Sequence, residues 1–144
     1  HLLAYPPEAA VAEKFQARVT LDIANSRMKD FYDIWTLARR KDFQGQPLSQ
    51  AIAATFERRK TPMPTDAPTG LTKAFADDRA KQTQWNAFLR KGRLSEIGTS
   101  LEHVVSFIRD FLLPPTIAAA TGKPFAMRWP AGGPWQASQD KRRG

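Results

Sequence analysis

The chain has 144 residues, room for one domain, and its 42% hydrophobic content is enough for a packed core. Lys and Arg number 22 against 14 Asp and Glu, a net charge of +8 that favours anionic partners (nucleic acid, nucleotides or a membrane surface), although such a balance also simply aids solubility. The absence of cysteine excludes a disulfide framework, a thiol nucleophile and a Cys-ligated metal, and two histidines, His1 and His103, exclude a multi-His metal site.

Pro6 and Pro7 open the first predicted helix, since a first-turn N–H has no intrahelical partner. It runs from Glu8 to Leu21 with Val11, Ala12, Phe15 and Val19 at helical spacing. Asn25 or Ser26 caps a second helix reaching Arg40, with a stripe of Phe31, Ile34, Trp35 and Ala38. Gln44-Gly45-Gln46-Pro47 reads as a turn, followed by a helix with Leu48, Ala51, Ile52, Thr55 and Phe56 on one face. The prolines between Thr61 and Thr69 predict an extended loop. Leu71, Ala74 and Phe75 mark a short helix. Asp77 or Asp78 caps the next, which carries Trp85, Phe88 and Leu89 and ends at Gly92. Leu101, Val104, Val105, Ile108, Phe111 and Leu112 form the clearest period, which Pro114-Pro115 should break or kink, with Ile117 to Ala120 as a last turn.

Beyond Gly122, Pro124, Trp129-Pro130, Gly132-Gly133-Pro134 and Trp135 predict an extended strap held by aromatics, with a loose basic tail at Lys141-Arg142-Arg143. No segment alternates long enough to read as a strand, and no repeat or low-complexity tract occurs. The expected fold is therefore all-α: a bundle of five or six helices over residues 1–122, and an irregular Trp/Pro/Gly-rich arm with a basic tail over residues 123–144. No apolar run reaches the ~20 residues of a membrane span, and no secretory signal is present. A cytoplasmic protein without a membrane partner is expected. The start at His1 rather than Met reads as a fragment, a processed chain or a tag remnant.

The densest chemical signal is Arg27-Met28-Lys29-Asp30-Phe31-Tyr32-Asp33-Ile34-Trp35. On a helix, Asp30 lies at the edge of the apolar stripe, Asp33 shares its face at i, i+3, and Arg27 precedes Asp30 by three. A carboxylate at an apolar rim suits a metal ligand or general base, or needs a cation to pair it. An ordinary amphipathic helix with intrahelical ion pairs explains the spacing equally well. Lys14 and Arg18, at i, i+4 beside Val11 and Phe15, suit phosphate binding or simple snorkelling.

Three stretches carry a family resemblance: Tyr5-Pro6-Pro7-Glu8, then Val11-Ala12-Glu13-Lys14, then Asn25-Ser26-Arg27-Met28-Lys29-Asp30-Phe31-Tyr32-Asp33. They resemble the later motifs of the AbiEii/AbiGii nucleotidyltransferases, toxins of bacterial toxin–antitoxin and abortive-infection systems. Thr55-Phe56-Glu57-Arg58-Arg59 before a Thr-Pro stretch, and the Trp85…Phe88-Leu89 pair, resemble the following helical region. The likeness spans roughly residues 3 to 112. It implies a polymerase-β-type nucleotidyltransferase that uses an NTP and Mg²⁺. Lys14 matches the lysine of the third motif, which contacts the nucleotide phosphates. Lys29, Asp30 and Asp33 match the basic residue and two acids of the fourth, an acid of which supports the catalytic centre. The site implied is thus catalytic Lys14, Asp30 and Asp33, with Arg18, Arg27 and Lys29 joining Lys14 around the phosphates.

The first motif of that family, Gly-Ser followed by Asp-x-Asp, has no counterpart: no Asp-x-Asp occurs in the 144 residues, and Asp77-Asp78 has the wrong spacing. The chain is expected to be inactive alone, to hold no firmly bound cofactor or metal, and to pair with the missing catalytic half or an antitoxin. An alternative is a non-catalytic basic helical module binding nucleic acid or a protein. Arg39-Arg40-Lys41, Arg58-Arg59-Lys60 and Arg90-Lys91 with Arg93 each fall at a predicted helix C-terminus, where cations complement the dipole. Should they converge, Arg39, Arg40, Arg58, Arg59, Arg90 and Lys91 would track a nucleic-acid backbone, and the resemblance favours an RNA acceptor such as tRNA. Trp129 and Trp135 could stack on bases, but more often such residues pin an arm. His103 should be solvated.

Overall fold

The computed structural model describes residues 6–20, 28–94 and 98–138. Six α-helices dominate: α1 (Pro7–Thr20), α2 (Met28–Arg40), α3 (Gly45–Arg58), α4 (Lys73–Asp77), α5 (Arg79–Lys91) and α6 (Leu101–Ala120). A 3₁₀ turn at Thr69–Leu71 follows the Thr-Pro loop. The expected Asn25/Ser26 cap and the basic tail lie outside the described residues.

α6 is the hub. Its apolar stripe, Leu101, Val104, Val105, Ile108, Phe111 and Leu112, is at most 2% exposed and meets α2, α3, α4 and α5. Phe15 of α1 packs on Phe56 of α3, and Phe31 of α2 stacks on Phe75 of α4. Each such fully buried ring contributes roughly 1.5–3 kcal/mol through removal from water. α1 and α2 run antiparallel: Lys14 faces Asp33, and Arg18 faces Phe31 two residues earlier.

Several local expectations need correction. Gln44 and Phe43 form a strand, β1 (Phe43–Gln44), and Gly45 already starts α3. Glycine is required there, because a Cβ would sit 2.5 Å from the Phe125 ring and 2.7 Å from its carbonyl. In α4 the buried alanine is Ala76, while Ala74 is exposed. Asp78, not Asp77, caps α5, its carboxylate accepting from the Lys81 N–H. Gly92 has φ −87°, and the left-handed position after α5 falls on Arg93 at φ 59°.

Pro114 and Pro115 neither break α6 nor end it. Proline at 115 removes the N–H that would bond the Phe111 carbonyl four residues back. The Trp135 indole supplies that donor instead, at 2.9 Å. The Thr116 hydroxyl donates to Leu112 O, and Ser49 of α3 donates to Pro115 O. The helix continues because side chains satisfy the backbone around the prolines.

The C-terminal arm is also more regular than expected. β2 (Met127–Trp129) pairs antiparallel with β1 and with β3 (Gln136–Ala137), in the order β1-β2-β3. Trp129 is 2% exposed, meets Phe111 at 4.8 Å, and donates its indole N–H to the Ala38 carbonyl at the end of α2. That carbonyl is one of the four a helix leaves without an intrahelical donor. Gln46 accepts from Phe125 N, and Asp42 from Ala131 N.

Candidate active site

α1 and α2 place two lysines and two carboxylates together. The Lys14 ammonium lies 2.9 Å from Asp33 Oδ2 and 3.9 Å from Asp30 Oδ1. Lys29 reaches the same Asp33 oxygen at 2.7 Å from one helical turn earlier. The burial is graded: the side chains of Asp30, Asp33, Lys14 and Lys29 are 4%, 21%, 30% and 71% exposed. Asp30 thus lies against the apolar stripe under Lys14, while Lys29 stands in solvent.

The charges set the protonation. Partial burial pushes the Asp33 carboxyl up. The hydrogen bonds from Lys29 and Lys14, and the attraction of their charges, outweigh it and hold the group below its ordinary value. Two ammonium groups on one carboxylate oxygen mean that either can leave without stripping Asp33 of its counter-charge.

Glu13, the neighbour of Lys14, faces the other way. Its two oxygens are held by Arg58 and Arg59 of α3, and Gln16 donates to Thr61 Oγ1 just past α3. α1 is therefore fixed on one side to α2 through Lys14 and on the other to α3 through Glu13. No sequence signal marks this clamp, because its partners are 45 residues apart.

The other expected site residues divide. Arg27 lies outside the described residues. Arg18 does not join the open face: it is 8% exposed, its guanidinium sits 4.9 Å from the Phe31 ring, and it lines a void of about 10 Å³ with Phe15, Ile34 and Ile108. Its spacing from Lys14 explains this, because four residues turn a helix by about 40° past a full turn, here toward the core. The basic clusters do not form one set either. Arg58 and Arg59 serve Glu13, whereas Arg39, Arg40, Arg90 and Lys91 are exposed. Trp129 and Trp135 pin the arm, and His103 is exposed beside Phe107.

A divalent cation does not fit the residues at hand. Among the described residues no three His, Asp or Glu side chains cluster as a metal would need, and Asp30 and Asp33 already face ammonium groups. Nor is any described helix long and apolar enough to cross a membrane.

A family model described as the nucleotidyl transferase AbiEii toxin of a type IV toxin–antitoxin system matches residues 1–106. The chain belongs to the AbiEii family. Membership makes it a nucleotidyltransferase-type toxin and implies an antitoxin partner. No curated protein and no solved structure matches it. The AbiEii match takes in α1 to α5 and the first turns of α6, so the double proline and the Trp-pinned arm lie beyond it.

Proposed function

We propose that this chain is the helical half of an AbiEii nucleotidyltransferase, which transfers a nucleotide from an NTP to an RNA acceptor such as tRNA. The observation that carries the reading is the Lys14–Asp33 contact, with Lys29 on the same oxygen. Nucleotidyl transfer is mostly positioning and neutralisation of phosphate charge, and a lysine held by two carboxylates at an open face offers an aimed point charge. When a phosphate arrives, Lys14 turns to it while Lys29 keeps Asp33 ionised. Asp30, buried beneath, holds the Lys14 ammonium at that edge.

The Asp-x-Asp pair and its Gly-Ser turn are absent from these 144 residues. In this reading a segment outside them supplies the pair, binds the Mg²⁺, and completes the site over the Lys14 face. The chain alone therefore transfers nothing when incubated with NTP, Mg²⁺ and tRNA. In a protein that includes the Gly-Ser…Asp-x-Asp segment, Lys14→Ala and Asp33→Ala each reduce transfer by at least about 100-fold, with unchanged circular dichroism. Full transfer by the Lys14→Ala protein overturns the site assignment, and no transfer by the unaltered protein with that segment leaves a non-catalytic basic module in its place.

A further inference from the structure

Among the described residues, some cations face a carboxylate and others do not. Lys14, Lys29, Arg58, Arg59, Lys73 and Arg128 each face a carboxylate. The exposed cations of α5 do not. That helix reads RAKQTQWNAFLRK, without one acid, and Arg79, Arg90 and Lys91 have no carboxylate partner among the described residues. At the end of α2, Arg39, Arg40 and Lys41 are likewise exposed without one. Cations left unneutralised on two adjoining helices build a local positive field, and that field favours a polyanion.

The seam between these helices is aromatic. On α2, Tyr32, Trp35 and Arg39 follow at i, i+3 and i+7 and so share one strip. The Arg39 guanidinium lies 4.1 Å over the Trp35 ring, Trp35 meets Tyr32 at 6.0 Å, and Tyr32 meets Phe88 of α5 at 5.8 Å. Lys91 follows Phe88 by three residues on the same side of α5. The order across the seam is thus cation, ring, ring, ring, cation. Tyr32 and Phe88 are only partly buried, and the Tyr32 hydroxyl makes no hydrogen bond among the described residues. Tyr32 stands next to Asp33 in the chain, so the seam lies about 100° around α2 from the face that meets Lys14.

We infer that the α2–α5 seam binds a single-stranded segment of nucleic acid, with bases on Tyr32 and Phe88 and phosphates at Arg39 and Lys91, and so leads an acceptor end toward Lys14. The inference rests on the nucleic-acid acceptor proposed above and gives it a location. Rings flanked by cations suit single strands, because unpaired bases expose a face for stacking, worth roughly 1–3 kcal/mol each. A duplex hides those faces and would use the cations alone.

The test is fluorescence anisotropy of a labelled single-stranded RNA of about ten nucleotides, the same RNA as a duplex, and ATP as a mononucleotide, titrated with this chain. The single strand is expected to bind about tenfold or more tighter than either competitor. The double variant Arg39→Gln/Lys91→Gln should weaken it about tenfold and lower the salt slope by about 1.4. Phe88→Leu should weaken it about fivefold with the salt slope unchanged. Lys123→Gln, an exposed cation outside the seam, should change nothing, and thermal melts verify that each variant is folded. Equal affinity for duplex or ATP, or seam variants that bind like the parent, overturn the inference. Because the readout is binding, that failure leaves the transfer reading intact. An active Lys14→Ala protein, which overturns the site assignment, leaves the seam intact in turn.

Discussion

The α1–α2 face and the α6–arm junction solve the same problem, holding polar groups in a small core, by opposite means. At α1–α2 the contacts are between full charges, graded from the buried Asp30 to the solvated Lys29. At α6 and the arm they are between neutral groups: indole N–H donors reach the carbonyls of Ala38 and Phe111 inside a cluster of rings that includes Phe43, Phe111, Trp129 and Trp135. The first region can exchange partners, since salt screens exposed charges and an arriving anion competes for them. The second cannot, because removing either partner strands a buried polar group or opens a void. The site proposed for chemistry lies at the exchangeable face, and the fixed junction holds the scaffold behind it.

Substitutions separate the two. Trp129→Ala removes the largest buried ring of the arm and should lower unfolding stability by about 3–5 kcal/mol, equally at low and high salt in urea titrations. Trp135→Phe keeps most of the packing but deletes the donor to Phe111 O, and a loss of roughly 1–3 kcal/mol is expected, again insensitive to salt. Asp33→Asn should cost at most about 1 kcal/mol at low ionic strength, because the pair is partly solvated, and almost nothing in molar salt. A large, salt-independent loss for Asp33→Asn would erase the contrast.

The smallest expected effect is the pH dependence of Asp33. Its folded pKa lies below its ordinary value of 3.8, so the folded state binds the proton less readily than the unfolded state. Its contribution to stability is complete above the unfolded value and disappears as the pH falls below it, through the lower folded value. Denaturation titrations of the parent and Asp33→Asn proteins should therefore converge on acidification below about pH 4.

Much of this contrast was legible in the sequence, and for definite reasons. The 3.6-residue period of Leu101 to Leu112 and of Phe31 to Ala38 marks helices whose stripes are buried. The juxtaposition of Lys14 with Asp30 and Asp33 follows from two stripes packed antiparallel. Hidden were features whose cause lies far along the chain. Strands of two or three residues carry no period, and β1 pairs with a segment more than 80 residues away. The Glu13 clamp depends on Arg58 and Arg59, and the inward turn of Arg18 depends on where Phe31 lies. The double proline reads locally as a stop because its replacement donor is Trp135.

That replacement makes two positions conditional on one another. With Pro115 present, Trp135 is needed as the donor to a carbonyl that no backbone N–H can reach. With Pro115→Ala, the restored amide can share that oxygen with the indole, since a carbonyl accepts two hydrogen bonds, as Ala38 O does from Trp129 and Gly132. Losing Trp135 alone strands the Phe111 carbonyl, whereas losing it beside Pro115→Ala leaves that carbonyl a backbone donor. A lineage therefore loses Trp135 at least cost once Pro115 has gone. Members of this family that carry the proline pair should accordingly carry an aromatic donor in the arm.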